Sequence, residues 1–379
     1  LALAHLGLGA SLGEQGRLEE ARATLERAQA LAPSNRQGWE TLLRVLMRLK
    51  AWPAAFDTWN LIASRFLDPF AGGVEQTIIH LTFGHFDPGW DLLERRLDQT
   101  GFIIPTRSFS EPRWDGAPFP GKTLLLHWEQ GYGDTLMFIR YATLAKARGG
   151  RVLALVQKPL VPVVATVPGI DGVLAPGEPL PPFDLQVSIF SLPQVFGTRL
   201  DTVPAAIPYV SAPAQAPPAL AAAMAEPGRG VRAGLVWAGS TAHRSDGTRT
   251  ASLDALACLG DLPGLHWHSL QVGYQGGLPF PGIRDLAPHL PDFGATAWAL
   301  QQLDLVVTVD TSVAHLAGAL GRPTWLLLPF IPEWRWLLER EDSPWYPTIR
   351  IFRQEQPNQW EPVLARVRSA LLDRLRGTC

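Results

Sequence analysis

Cysteine is scarce in this sequence, with only Cys258 and Cys379 in 379 residues. That excludes a disulfide scaffold and a cysteine-built zinc site. No apolar run approaches the roughly 18 residues of a membrane span, and no secretory signal opens the chain. The expectation is a cytoplasmic protein with no integral membrane segment. An excess of positive charge is also missing: 33 Lys and Arg face 35 Asp and Glu, for a formal net charge of −2. That balance excludes a net-basic nucleic-acid binder. Lysine itself is rare, limited to Lys50, Lys122, Lys146 and Lys158. No G-x-G-x-x-G follows an expected strand and no H-E-x-x-H occurs, so neither a dinucleotide fingerprint nor a zinc-protease helix is present. No metal site and no cofactor are expected.

Apolar residues, by contrast, make up 46% of the chain, and there are 14 Trp. With 34 Pro and 35 Gly, these two together fall short of the roughly 25–30% that signals disorder. The length suits about 2.5 domains of roughly 150 residues and can bury a large core unaided. The chain opens on Leu1 rather than Met, which predicts sequence upstream.

The first seventy residues repeat. Gly9, Leu12, Ala21, Leu25 and Ala28 return 34 positions later as Leu43, Leu46, Ala55, Trp59 and Ile62, while His5 and Leu8 return as Trp39 and Leu42. A 34-residue period with small residues at a helix crossing is the tetratricopeptide (TPR) signature. Ala21 and Ala28 lie seven apart and share a helix face. Pro53 falls in a first helical turn, where it is tolerated. Segment 74–100 reads as a further, degenerate helical pair. Stacked repeats need neighbours, so more are expected upstream; a plain helical bundle is the alternative.

Residues 105–120 are rich in Pro, Ser and Gly and read as a linker. Strands are then expected at Thr123–Trp128, Arg151–Val156, Gly172–Ala175 and Asp184–Ser188, with helices between them. A second break, 213–230, is Ala- and Pro-rich. Beyond it, strands are expected at Ala233–Trp237, His266–Gln271, Leu305–Val309 and Thr324–Leu328, again alternating with helices, and a closing helix over Asn358–Leu375 with Asn358 and Glu361 as a cap. Alternation of this kind argues for parallel sheets covered by helices. Two such domains in tandem place a cleft at the C-terminal ends of their strands.

Three strand-to-helix loops could carry chemistry. Trp128–Thr135 is glycine-rich, with Gln130, Gly131 and Gly133 letting the backbone approach a ligand and Asp134 at a helix start. Asp134 is either a helix cap or a carboxylate that accepts a proton from an attacking hydroxyl. In the loop after Val309, Asp310 ends a buried strand, and the N–H groups at the following helix start offer an anion site. Thr311 and His315, four apart, face one ligand. The bland alternative is a capped core helix with an internally bonded His315. In the third loop, Trp237–Thr250, Arg244 and Arg249 could clamp phosphate oxygens, or the loop is simply solvated.

Gln130-Gly131-Tyr132-Gly133-Asp134 together with Asp310-Thr311-Ser312-Val313-Ala314-His315-Leu316-Ala317 resembles glycosyltransferase family 9, the heptosyltransferase-like enzymes of the GT-B fold, and in particular bacterial proteins that fuse TPR repeats to such a module. Gly84–Trp90, Trp334–Leu338 and Asp342–Pro347 resemble further segments of those proteins. The layout is also similar to the O-GlcNAc transferases. The resemblance implies an α plus α/β chain: TPR-like repeats over 1–104, the linker 105–120, an acceptor-side Rossmann-like domain over 121–212, the linker 213–230, and a nucleotide-sugar domain over 231–379. It implies inverting, metal-independent transfer from a nucleotide-sugar donor to an acceptor hydroxyl, with the repeats selecting a protein partner. Asp134 would be the general base. Asp310 would hold donor hydroxyls, and Thr311, Ser312, Val313 and His315 the diphosphate, with Arg249 and then Arg244 taking leaving-group charge. Gln271, Trp334 and Arg335 are weaker candidates for nucleotide contacts. The family usually carries Lys in the arginine loop and Gly where Ser312 stands. A TPR scaffold with a catalytically inactive GT-B module is the alternative.

Overall fold

The computed structural model describes residues 1–66, 73–97, 109–215, 217–225, 230–239 and 249–377. The chain divides into two compact units. One comprises Leu1–Gly101 with Glu333–Leu337, and the other Phe102–Pro332 with Leu338–Cys379.

The first unit is helical. It contains α1 (Ala2–Glu14), α2 (Leu18–Leu31), α3 (Arg36–Arg48), α4 (Trp52–Arg65), α5 (Gly73–Thr82) and α6 (Phe86–Glu94). Both helices of the first pair recur after 34 residues: Ala2 is matched by Arg36, and Leu18 by Trp52. Small residues set the crossing. A Cβ on Gly9 would stand 2.6 Å from Leu25 Cγ, and Ala21 is fully buried. Asn35 caps α3, its Oδ1 accepting the Gly38 N–H at 3.1 Å, and Pro53 sits in the first turn of α4. The third pair repeats the close approach with Gly89 against Leu81. Its helices are shorter, which fits its degenerate sequence.

The second unit carries two all-parallel sheets. The first has β1 (Thr123–His127), β2 (Arg151–Leu155), β3 (Gly172–Leu174) and β4 (Leu185–Ser188) in the order β3-β2-β1-β4. Leu124, Leu125 and Leu126 are all fully buried, as expected for a strand covered on both faces. The described part of 105–120 packs on this sheet: Arg113 bridges to Gln186, and Trp114 and Phe119 are buried.

The second sheet has β5 (Val231–Val236), β6 (Leu265–Ser269), β7 (Arg284–Asp285), β8 (Leu305–Val309), β9 (Thr324–Leu328) and β10 (Ile349–Arg353). Their order is β10-β9-β8-β5-β6-β7, the doubly wound order in which two βαβαβ halves diverge from a central pair. Three helices matter below: α7 (Tyr132–Phe138), α8 (Phe293–Gln301) and α9 (Ser312–Ala319). Two sequence expectations change. Residues 213–230 include a helix, Pro218–Met224, with Leu220 and Met224 buried. The closing helix, α10 (Glu361–Arg376), starts after Trp360 rather than Asn358. Asn358 takes φ +60°, a left-handed conformation that Asn tolerates. The chain therefore turns there, and the Asn358–Glu361 cap is not made. No helix among the described residues is long and apolar enough to cross a membrane.

Candidate functional site

Strand order fixes where a ligand can bind. In an open α/β sheet it lies beyond the C-terminal strand ends, where neighbouring strands send their chains in opposite directions. In the first sheet that point lies between β1 and β4, and in the second between β5 and β8. The Trp128–Gly133 loop leaves β1, the loop containing Arg249 leaves β5, and Asp310–Thr311 leaves β8. All three candidate loops therefore emerge at switch points.

The first loop is held from several sides. Gln157, just past β2, donates from Nε2 to the Gln130 carbonyl at 2.9 Å, and its Oε1 accepts from Thr135 Oγ1 at 2.8 Å. Glu129 Oε2 accepts from Ser188 Oγ at 2.6 Å, tying the end of β1 to that of β4. Helix α7 starts at Tyr132 with Gly131 as its cap residue. Asp134 is therefore the third helical residue and not the N-cap. Its Oδ2 reaches back to accept the Gly131 N–H at 2.9 Å. Gln157 and Ser188 are not legible in the sequence, because no local pattern marks a residue that braces a loop from another strand.

The second loop is more deeply placed. Asp310 is 5% exposed and His315 4%. Thr308 Oγ1 donates to the Val309 carbonyl at 2.8 Å, so Thr311 Oγ1 is the donor in the 3.2 Å contact between the two hydroxyls. The Thr311 side chain does not cap α9, and among the described residues no hydrogen bond is made by the N–H groups of Ser312 and Val313. Arg249 Nη1 donates to the Asp310 carbonyl at 3.3 Å. Its Nε is buried with no hydrogen-bond partner among the described residues. Arg244 lies outside the described residues.

The two sheets of this unit meet at these loops. A Cβ on Gly133 would stand 2.8 Å from His315 Cδ2 and 3.4 Å from its Nε2, so α7 and α9 approach as only glycine allows. Nearby, the Tyr132 ring lies 5.1 Å from that of Phe293 at the start of α8. A Cβ on Gly294 would stand 2.8 Å from Pro162 Cβ, in the short helix after β2. The structure thus brings Gly133, the residue before Asp134, against His315, with Arg249 on the Asp310 carbonyl.

The weaker candidates are engaged in contacts of their own. Gln271 Oε1 accepts the N–H groups of Trp237 and Ala238 at 3.0 and 2.9 Å, pinning the exit of β5. Trp334 and Arg335 belong to the helical unit. The Trp334 ring packs edge-on against Trp90 at 5.5 Å, and Arg335 pairs with Glu333 at 3.0 Å.

Two stretches match catalytic motifs by letter only. Gly116–Thr123 spells G-x-x-x-x-G-K-T, but a phosphate-binding loop follows a strand and opens a helix. Here Thr123 begins β1, and Pro118 and Pro120 offer no N–H. Gly9–Gly13 spells G-x-S-x-G but lies inside α1, without the strand-to-helix turn that exposes a nucleophile.

No family model matches the chain. The protein FlbA of Caulobacter vibrioides is 27% identical over 329 residues, covering 78% of this chain and 54% of that protein. The chain thus spans about half the length of the curated relative it matches. Among solved structures, a glycosyl transferase family 9 protein from Veillonella parvula aligns at 8% identity and TM-score 0.45, over 64% of this chain and 88% of that one. The ADP-heptose heptosyltransferase II of E. coli aligns at 12% identity and TM-score 0.45, over 66% and 99%. A mutant O-GlcNAc transferase of Thermobaculum terrenum aligns at 12% identity and TM-score 0.30, over 99% and 93%.

Proposed function

We propose that this chain transfers a glycosyl group from a nucleoside-diphosphate sugar to an acceptor hydroxyl. The observation that carries the reading is the approach of α7 to α9 at Gly133 and His315. Asp134 directly follows Gly133, and His315 lies in the first turns of α9, which supports a carboxylate working opposite a helix start. The two halves of a displacement need those two features. Asp134 accepts the proton as the acceptor oxygen attacks the anomeric carbon, and attack from the face opposite the leaving group inverts that carbon. The α9 N–H groups, His315 and Arg249 take up the charge of the departing diphosphate, so the reaction needs no metal ion. Asp310 orients the donor sugar. The helical unit, with its 34-residue recurrence, is a TPR array that selects a protein acceptor.

The test pairs wild type with Asp134→Asn. Mass spectrometry follows sugar added to cellular proteins, and calorimetry follows donor binding. Transfer lost with donor binding kept supports the base assignment, and normal transfer by the variant contradicts it. A wild type that binds no UDP-, GDP- or ADP-sugar favours an inactive scaffold instead.

A further inference from the structure

The Asp342–Pro347 segment has so far no role, yet Tyr346 within it reaches the site. Its Oη lies 2.9 Å from His315 Nδ1, and both residues are buried. The ring leaves no slack: a Cβ on Gly318, on the same helix as His315, would overlap Tyr346 Cδ1.

Behind Tyr346 stands Arg140, also buried. Its guanidinium lies 4.6 Å from the Tyr346 ring centroid and 4.7 Å from that of Tyr209. Nη1 donates to the Trp345 carbonyl at 2.7 Å, Nη2 to Tyr209 Oη at 3.0 Å, and Nε to the Met137 carbonyl at 2.8 Å. Tyr209 spends its own proton on the Leu136 carbonyl at 2.8 Å. A guanidinium is a donor only, and its positive charge turns the lone pairs of a neighbouring hydroxyl toward itself. The single O–H of Tyr346 cannot be given to Arg140, whereas His315 Nδ1 at 2.9 Å can accept it. Burial raises the Tyr346 hydroxyl well above its ordinary titration range. Tyr209 adds to that and the Arg140 charge opposes it, so the phenol stays a donor at any working pH.

We infer that Tyr346 is a positioning residue: its hydroxyl, set by Arg140, holds His315 as the neutral tautomer with the proton on Nε2, the nitrogen beside Gly133. A histidine's second nitrogen is fixed by what the first one bonds. With Nδ1 occupied as an acceptor, Nε2–H becomes an oriented donor at the start of α9, suited to a phosphate oxygen of the donor. This rests on the glycosyltransferase reading for what Nε2–H binds, but not for the tautomer itself.

The test uses the full chain labelled with nitrogen-15 at its nine histidines, as wild type, Tyr346→Phe and His315→Gln, the last assigning the resonance. Long-range nitrogen–proton spectra are expected to show His315 protonated at Nε2 in wild type and a tautomer mixture in Tyr346→Phe. Calorimetry against UDP-, GDP- and ADP-sugars should show about tenfold weaker donor binding in Tyr346→Phe. A wild-type His315 protonated at Nδ1 overturns the inference, with no variant needed. So does an unchanged tautomer in Tyr346→Phe, or a changed one with donor affinity within twofold of wild type. A wild type that binds no nucleotide sugar overturns the transferase reading and with it the phosphate contact, while the spectra still decide the link between Tyr346 and His315.

Discussion

Replacing Gly133 by Ala tests the contact on which the candidate site is built. The added Cβ would lie 2.8 Å from His315 Cδ2, whereas two carbons rest at about 3.5–4.0 Å. One side must therefore yield by roughly 0.7–1.2 Å, and neither can do so freely. His315 is buried and bonded to Tyr346. The start of α7 is braced by Gln157 through Gln130 and Thr135. Overpacking of this kind costs about 1–3 kcal/mol. Alanine recovers up to about 1 kcal/mol of helix propensity relative to glycine, so the single variant understates the clash. A double-mutant cycle with His315→Ala removes that ambiguity, because the propensity gain is common to both backgrounds. Urea unfolding should give a coupling of about 1–3 kcal/mol, and Gly133→Ala should be neutral or slightly stabilising once His315 is gone. Additive effects, within about 0.5 kcal/mol, would show that α7 and α9 do not press on each other and would refute the geometry.

Asp134→Asn should lower the transfer rate by about 10²–10⁴-fold while donor affinity, read by calorimetry, stays within a few-fold. Arg249→Ala should weaken donor binding by roughly ten- to a hundredfold, and the loss should shrink as salt is raised. Arg140→Met leaves the carbonyls of Met137 and Trp345 without their buried donor and should cost about 3 kcal/mol or more in urea unfolding. Burial opposes ionisation of Asp171, but Lys146 at 2.6 Å and the Val152 N–H hold its carboxyl below the ordinary carboxylate range. A lowered carboxylate stabilises the fold above its unfolded value and loses that contribution as pH falls through the folded one. The stability advantage of wild type over Asp171→Asn should therefore be present at neutral pH and disappear in acid, as followed by thermal melts.

The parts of the site that were legible in sequence are those where one short stretch contains both a strand end and a helix start. Val309-Asp310-Thr311-Ser312 is such a stretch: an apolar strand, then a polar step, then apolar helical spacing. Expected bounds of Leu305–Val309 and Thr324–Leu328 match the observed strands. The two-residue strand β7 carries too little pattern to be seen. The Asn358 cap failed because a left-handed turn at Asn358 competes with capping for the same side chain type. Long-range contacts were the least legible. Arg140 and Trp345 are 205 residues apart, and nothing local to either announces the other. The Trp334 ring packs edge-on against Trp90, a pairing of residues far apart in sequence that no local pattern announces.

The most direct measurement is calorimetric titration of the full chain with UDP-, GDP- and ADP-sugars, repeated with Ser312→Asp. That substitution sets a carboxylate at the start of α9, where the donor diphosphate is to sit. If α9 is the diphosphate site, one nucleotide sugar binds the wild type, and Ser312→Asp loses that binding by like-charge repulsion while its thermal melt is unchanged. Binding of the same sugar by Ser312→Asp at wild-type affinity would place the donor elsewhere and contradict the proposed site.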